Sequence, residues 1–181
     1  GNFTGGEVSS DYYTGESPGY IFMANNLIIA KEMITKRLFG VPASMADIVI
    51  HPGAPLFVCD MQFSNLYGIF TSDTAVSTNI DPTAFCTYPG APSNFPIQLR
   101  VTVAHECRPI QLIDEDLRAI FTTGSKFEFK FGDLSLEITK KLSNLFATRA
   151  GLTLGGIGGA IMGLTGGRMP GRSGAQAPGT V

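Results

Sequence analysis

Four residues could support nucleophilic chemistry, namely the two histidines and two of the three cysteines: His51, His105, Cys59 and Cys107. A covalent mechanism needs a nucleophile, a base and an orienting group within hydrogen-bond reach. Neither a nucleophile-elbow motif nor a phosphate-binding loop accompanies these residues in the sequence. The sequence therefore predicts a protein that is not an enzyme.

Metal-ligating residue types are present in two groups. Cys107 with His105 makes half of a zinc site, which needs three or four ligands at defined spacing. The acids Asp114, Glu115 and Asp116 are contiguous, and the first turn of a helix is the commoner place for such a group. We expect neither a metal nor another cofactor.

A third chemistry is recognition of a nucleotide base by aromatic stacking and amide hydrogen bonds. The chain has no tryptophan. The residues that fit this role are Tyr20, Phe22, Asn25, Asn26, Tyr67, Phe85 and Tyr88. The competing interpretation places the aromatic rings in the core and the two asparagines in turns or helix caps.

The charge balance bears on nucleic-acid binding. Residues 1–149 hold 11 Lys and Arg against 15 Asp and Glu, and the remaining residues add only Arg168 and Arg172. Binding to nucleic acid without base specificity depends on basic residues that displace counterions. Unselective binding of DNA or RNA is therefore not expected, although RNA stays an alternative partner through a local pocket. Three cysteines form no disulfide framework, which favours an intracellular, cytoplasmic location.

The elements that would position these residues follow from hydrophobic periodicity and turn residues. Strands are predicted at 19–23, 97–103 and 127–131, and a hairpin at 56–59 and 66–70 turns at Ser64-Asn65. Gly68 inside a strand predicts a bulge or a close backbone approach. Helices are predicted over 27–38, over 114–121 and after a cap at Ser135 or Asp133. The sum is an α+β domain with a small, curved, mainly antiparallel sheet packed by about three helices.

An unpaired sheet edge and the long polar segment 71–93 make a protein partner the preferred expectation. The partner itself is not identified by the sequence.

The distribution of glycine distinguishes a C-terminal segment from the rest of the chain. Of 22 glycines, 11 lie in residues 151–181, and five fall at a period of four: Gly151, Gly155, Gly159, Gly163 and Gly167. Small residues at this spacing allow helices to approach closely. Three interpretations stay open: a flexible tail, a glycine-zipper helix that self-associates or contacts a membrane, and a linker. The predicted organisation is a flexible segment 1–17, a domain 18–149 and a glycine-rich tail 150–181.

Several short motifs, in this order, resemble those of the Development and Cell Death (DCD) domain family. They are Gly19-Tyr20-Ile21-Phe22 with Asn25-Asn26, Leu38-Phe39-Gly40-Val41-Pro42, Pro52-Gly53-Ala54-Pro55-Leu56-Phe57, Leu66-Tyr67-Gly68-Ile69-Phe70, Asn79-Ile80-Asp81-Pro82 with Ala84-Phe85, Phe95-Pro96-Ile97-Gln98-Leu99-Arg100, and Cys107-Arg108-Pro109-Ile110. The resemblance covers about residues 18–147.

That resemblance implies a PUA-like barrel and a non-enzymatic interaction module in stress response or programmed cell death. A more distant similarity to YTH-type readers of methylated RNA implies the alternative, a reader of RNA or of modified nucleotides. Fold alone does not transfer the ligand.

Overall fold

A computed structural model describes Tyr13 and residues 15–151. The chain divides into two compact units, of which residues 15–139 form the larger one. Residues 140–151 and Tyr13 are the described part of the second unit. Of the predicted zipper glycines, all but Gly151 lie outside the described residues.

The described elements are three helices, one 3₁₀ turn and ten strands. The helices are α1 (Leu27–Lys36), α2 (Glu115–Ile120) and α3 (Leu136–Arg149), and the 3₁₀ turn spans Ala43–Met45. The strands are β1 (Tyr20–Ala24), β2 (Leu38–Val41), β3 (Leu56–Asp60), β4 (Asn65–Ser72), β5 (Ser77–Thr78), β6 (Ile97–Val103), β7 (Ile110–Gln111), β8 (Thr122–Thr123), β9 (Lys126–Phe127) and β10 (Gly132–Asp133).

Eight strands form one curled sheet, a half-barrel, in the order β10-β1-β3-β4-β6-β2, with β5 on β6 and β7 on β4. The predicted α+β class with a curved sheet is confirmed. The sheet is mixed, however, because β1 pairs with β3 in parallel while the other pairings among the described strands are antiparallel. Parallel neighbours need a crossover connection, and α1 with β2 supplies it here.

The core of the half-barrel is built on a chain of tilted aromatic rings. The ring centroids of Tyr20 and Phe22 lie 4.7 Å apart, those of Phe22 and Phe39 lie 5.2 Å apart, and those of Phe39 and Phe70 lie 4.9 Å apart. These are tilted or edge-on arrangements, which the aromatic quadrupole favours over face-to-face stacking. These rings join β1, β2 and β4, and Leu56 and Val58 of β3 belong to the same apolar core.

Helix α1 is shorter than predicted. Asn26 caps it, since the Asn26 Oδ1 accepts a hydrogen bond from the Ile29 N–H at 2.9 Å. The helix ends at Lys36 and Arg37 takes a left-handed conformation with φ 54°. The predicted continuation to residue 38 is wrong, because Leu38–Val41 turns into β2 and pairs with β6.

The β3–β4 hairpin is confirmed, but its turn spans residues 61–64 and not Ser64-Asn65, because Asn65 already pairs with Asp60 as the first residue of β4. Both the bulge and the close approach expected at Gly68 are present. The register between β3 and β4 shifts between Leu56 and Val58, and a Cβ built on Gly68 would lie 2.5 Å from the Phe57 ring. A larger residue at position 68 therefore has no room unless Phe57 moves.

The prediction of one strand over 127–131 is wrong. Only Lys126–Phe127 pairs, with β8, and the following residues up to 131 are not in a strand. The alternation there reflects a half-buried aromatic cluster, in which Phe129 lies 4.8 Å from Phe121 and 5.4 Å from Phe131 between ring centroids.

The two remaining helix starts agree with the sequence. Asp114 accepts from the Asp116 and Leu117 N–H groups at the start of α2, and Ser135 accepts from the Ile138 N–H at the start of α3. Gly151 follows α3 with φ 76°, a left-handed conformation that favours glycine at the end of a helix.

Candidate functional site

A cleft of 510 Å³ lies where β1 passes into α1. Its polar lining consists of Asn25, Asn26, Thr87 and Asn94. Its apolar lining includes Ile28, Ile29, Pro42 and Phe95. Amides surrounded by apolar side chains suit an uncharged ligand with hydrogen-bonding edges.

The loop 86–94 forms one side of this cleft, and α1 holds the loop in place. The Glu32 Oε2 accepts a hydrogen bond from the Phe85 N–H at 3.0 Å. The Asn94 N–H donates to the Phe85 carbonyl at 2.9 Å, which closes the loop at its base. Within the loop, the Asn94 amide donates to the Thr87 hydroxyl at 3.1 Å. These hydrogen bonds fix the position of the loop on one side of the cleft.

The predicted recognition residues do not all meet at the cleft. Asn25 and Asn26 line it, and Tyr88 follows Thr87 in the loop with 64% of its side chain exposed. Tyr20, Phe22 and Phe85 belong to the buried core, and Tyr67 packs against that core. Burial raises the pKa of Tyr20 to about 12 and also raises the pKa of Tyr67. No aromatic cage is formed by these four rings at the cleft.

A second surface, which shares Ile28 with the cleft, includes the turn between β3 and β4. It exposes four large apolar side chains, and we call this set the apolar strip: Ile28, Met61, Phe63 and Ile113. The sequence analysis does not predict the apolar strip. Phe63, an aromatic residue directly before Ser64-Asn65, is the signal in the sequence that could have indicated it.

Three hydrogen bonds bring the segments of the apolar strip together. The Met61 N–H donates to the Ala24 carbonyl at 3.0 Å, and the Leu27 N–H donates to the Gln62 Oε1 at 3.1 Å. On the other side of the turn, the Leu112 N–H donates to the Ser64 carbonyl at 2.9 Å. The turn 61–64 thus lies between the start of α1 and the segment that leads into α2.

The buried carboxylate of Asp60 shapes the turn from below. Its Oδ1 accepts hydrogen bonds from the Gln62 N–H at 2.7 Å and the Phe63 N–H at 3.3 Å. Side chains of aspartate often stabilise turns in this way. Phe63 is consequently held outward in a fixed turn, with 53% of its surface exposed.

Burial shifts the pKa of three of the residues considered for nucleophilic chemistry. Burial raises the pKa of Cys59 and of Cys107 to about 12, and burial lowers the pKa of His105. A thiol is nucleophilic as its thiolate, so these cysteines stay protonated at neutral pH. Within Tyr13 and residues 15–151, no group of three His, Cys, Asp or Glu side chains is placed to hold a metal ion.

The helices in the described part of the chain include none that is long and apolar enough to cross a membrane. Membrane contact or self-association through the glycine-rich tail stays a prediction, as does the cytoplasmic location.

Comparison with known proteins gives a family and a fold. The family model described as Development and cell death domain matches residues 18–146. The chain is 38% identical over 135 residues to the DCD domain-containing protein NRP-B of Glycine max, covering 70% of this chain and 38% of that protein. It is 36% identical over 132 residues to the B2 protein of Daucus carota, covering 70% of this chain and 60% of that protein. The chain thus spans less than two thirds of the length of these relatives.

Among solved structures, the fold matches that titled "YTH domain-containing protein mmi1 and RNA complex", with a TM-score of 0.51 and 10% identity. The match covers 80% of this chain and 87% of that one. At this identity the similarity concerns the fold alone. Both similarities drawn from the sequence motifs are confirmed.

Proposed function

The chain belongs to the Development and cell death domain family, and from that premise we propose that it is a non-enzymatic module that binds a protein partner through the apolar strip. The observation that carries the proposal is the exposure of Phe63 and its apolar neighbours. The family description supports a setting in development or cell death.

Exposed apolar surface of this kind has an energetic cost that binding removes. Ile28 and Ile113 are 77% and 76% exposed, and both flank the turn that carries Met61 and Phe63. Grouped apolar side chains on a soluble surface mark interaction sites, whereas scattered ones do not. Burial of apolar surface contributes about 25 cal/mol per Å² before the costs of association.

The turn geometry also suits a binding surface. Phe63 is an aromatic side chain on a turn that the Asp60 carboxylate fixes, so little conformational entropy is lost when a partner covers it. Aromatic residues at the centre of an apolar patch commonly contribute most of the binding energy. Phe63 is therefore the residue expected to dominate the affinity.

A second candidate function is the binding of a nucleotide base, as in RNA, in the amide-lined cleft. It is supported by Asn25, Asn26 and Asn94 around one cavity and by a fold shared with a protein solved in complex with RNA. The acidic excess of the body and the burial of Phe22 and Phe85 count against it.

Affinity capture from living cells, scored for both protein and RNA, separates the two candidates. The full chain is compared with Phe63→Ser/Ile113→Ser, with Asn25→Ala/Asn94→Ala, and with Val49→Ser. Val49 is 64% exposed and lies outside the apolar strip, so its variant controls for loss of surface hydrophobicity.

We expect specific protein partners to be lost only with the Phe63→Ser/Ile113→Ser variant. Recovery of RNA that depends on Asn25 and Asn94, with protein partners unaffected by the strip variant, would replace the proposal with the second candidate. Unchanged folding of each variant is checked by circular dichroism.

A further inference from the structure

The loop 86–94 is anchored to the core at both ends and exposed between them. Phe85 and Phe95, which flank the loop, have 0% and 4% of their surfaces exposed, and their ring centroids lie 5.8 Å apart in an edge-on arrangement. Residues 87–90 are exposed to solvent. The loop therefore borders the cleft from two buried aromatic attachment points.

Few interactions hold the exposed part of the loop. Among the residues that the structure describes, the hydrogen bonds of residues 87–92 stay within the loop. The Asn94 Nδ2 donates to the Thr87 hydroxyl at 3.1 Å, and the Ala91 N–H donates to the Tyr88 carbonyl at 3.0 Å. A segment with few contacts to the core opens at a lower free energy than the whole domain.

The backbone of Phe85 is held in a conformation that an aromatic residue rarely adopts. Its φ of 62° lies in the left-handed region, which favours glycine. Two hydrogen bonds hold it there, since the Glu32 Oε2 accepts from the Phe85 N–H at 3.0 Å and the Phe85 carbonyl accepts from the Asn94 N–H at 2.9 Å. Such outliers persist only where their surroundings determine them, and they cluster in ligand clamps and switch regions.

Glu32 ties the loop to α1. Its hydrogen bond to the Phe85 N–H joins residues that are 53 positions apart in sequence. Ile28 lies one turn earlier on the same face of α1 and lines the cleft. The Asn94–Phe85 bond, in contrast, joins the two ends of the loop to each other. Loss of the Glu32 bond therefore frees the loop from the helix face that borders the cleft.

We propose that the loop 86–94 is a lid on the cleft, that it opens about Phe85 while the rest of the domain stays folded, and that Glu32 is its latch. The buried Phe85 ring is the pivot. Release of the left-handed backbone at Phe85 breaks both of its hydrogen bonds. In the closed form Thr87 and Asn94 line the cleft, and opening removes them from its wall and widens the entrance.

Amide hydrogen exchange of the full chain, followed residue by residue with NMR, tests the lid. The Phe85 and Asn94 N–H groups report on the loop, and the Val101 N–H, which donates to the Arg37 carbonyl at 3.0 Å, reports on the sheet. Opening of the lid alone exposes little surface. Exchange at Phe85 and Asn94 should therefore hardly depend on low concentrations of urea, whereas exchange at Val101 should accelerate.

Two variants of neighbouring residues on α1 test the latch. Glu32→Ala should accelerate exchange at Phe85 and Asn94 roughly tenfold or more and leave exchange at Val101 unchanged. Lys31→Ala, at an exposed position, should leave all three amides unchanged. Exchange at Phe85 and Asn94 that follows urea as steeply as at Val101 would overturn the lid, and this result needs no variant. Equal acceleration of all three amides in Glu32→Ala, or no acceleration, would overturn the latch.

Discussion

At the residue scale, the asparagine pair shows both what sequence reasoning reached and where it stopped. The sequence predicts either a helix cap or a ligand contact for Asn26, and the structure gives it both a cap hydrogen bond and a place on the cleft lining. The aromatic residues were ambiguous because core and pocket use the same side chains. Only the three-dimensional packing shows that Phe22 and Phe85 have no exposed surface.

Substitution of Asn26 tests its role as the cap of α1. Asn26→Ala removes the acceptor of the Ile29 N–H and should lower the free energy of unfolding by about 1 kcal/mol. Asn26→Ser keeps a capping oxygen and should cost only a few tenths of a kcal/mol. Urea denaturation measures both, with Asn25→Ala as the neighbour that does not cap α1. Equal stability of all three variants would show that the cap hydrogen bond contributes nothing.

One buried thiol, Cys59, and one half-buried thiol, Cys107, predict a loss of stability at alkaline pH. Burial raises the pKa of Cys59 and Cys107 to about 12, above the value of about 9 for an unfolded chain. Between pH 9 and 12 the unfolded state releases thiol protons that the folded state retains, so the free energy of unfolding decreases as pH rises. Each thiol contributes at most about 1.4 kcal/mol per pH unit.

The measurement is urea denaturation under reductant from pH 7 to about pH 10.5. The variant Cys59→Ala/Cys107→Ala should have a shallower pH slope above pH 9, whatever its stability at pH 7. An identical slope in the variant and the wild type would contradict burial of the thiols.

At the element scale, the errors of prediction have a common cause in short strands. The sequence places Leu38–Val41 at the end of a helix and its stop signal, because four apolar or small residues carry no clear period. Its strand conformation comes from pairing with β6, which is distant in sequence. The Phe127–Phe131 alternation predicts a strand, yet these rings are half-buried in an irregular cluster. The capped helix α1 and the seven-residue strand β6 lie at or close to their predicted bounds.

The tight packing of β2 leads to a prediction at Gly40. A Cβ there would lie 2.7 Å from the Phe95 carbonyl oxygen and 2.9 Å from the Phe95 Cβ, so β2 or residue 95 must shift. Gly40→Ala should destabilise the domain by about 1–3 kcal/mol. The midpoint of urea denaturation measures the change. The reference is the wild-type chain, because Gly40 has no left-handed backbone and an alanine there meets the crowding by residue 95. A Gly40→Ala variant as stable as wild type would contradict this packing.

At the scale of the whole molecule, the sequence predicts the fold but not the apolar strip. The motif order is sufficient for the family and the curved sheet, because its glycines and prolines determine backbone positions. The apolar strip joins α1, the β3–β4 turn and the segment before α2, so it exists only after folding. The exposure of the strip and the acidic excess of residues 1–149 are the grounds on which we propose a protein partner rather than a polyanion.

The most direct test of that account is hydroxyl-radical footprinting of the full chain, alone and bound to a captured protein partner. Met61, Phe63 and Tyr88 are exposed, and they report on the apolar strip and on the loop beside the cleft. Interface binding through the apolar strip predicts strong protection of Met61 and Phe63 with Tyr88 unchanged. Protection of Tyr88 together with unaltered oxidation of Met61 and Phe63 would contradict it.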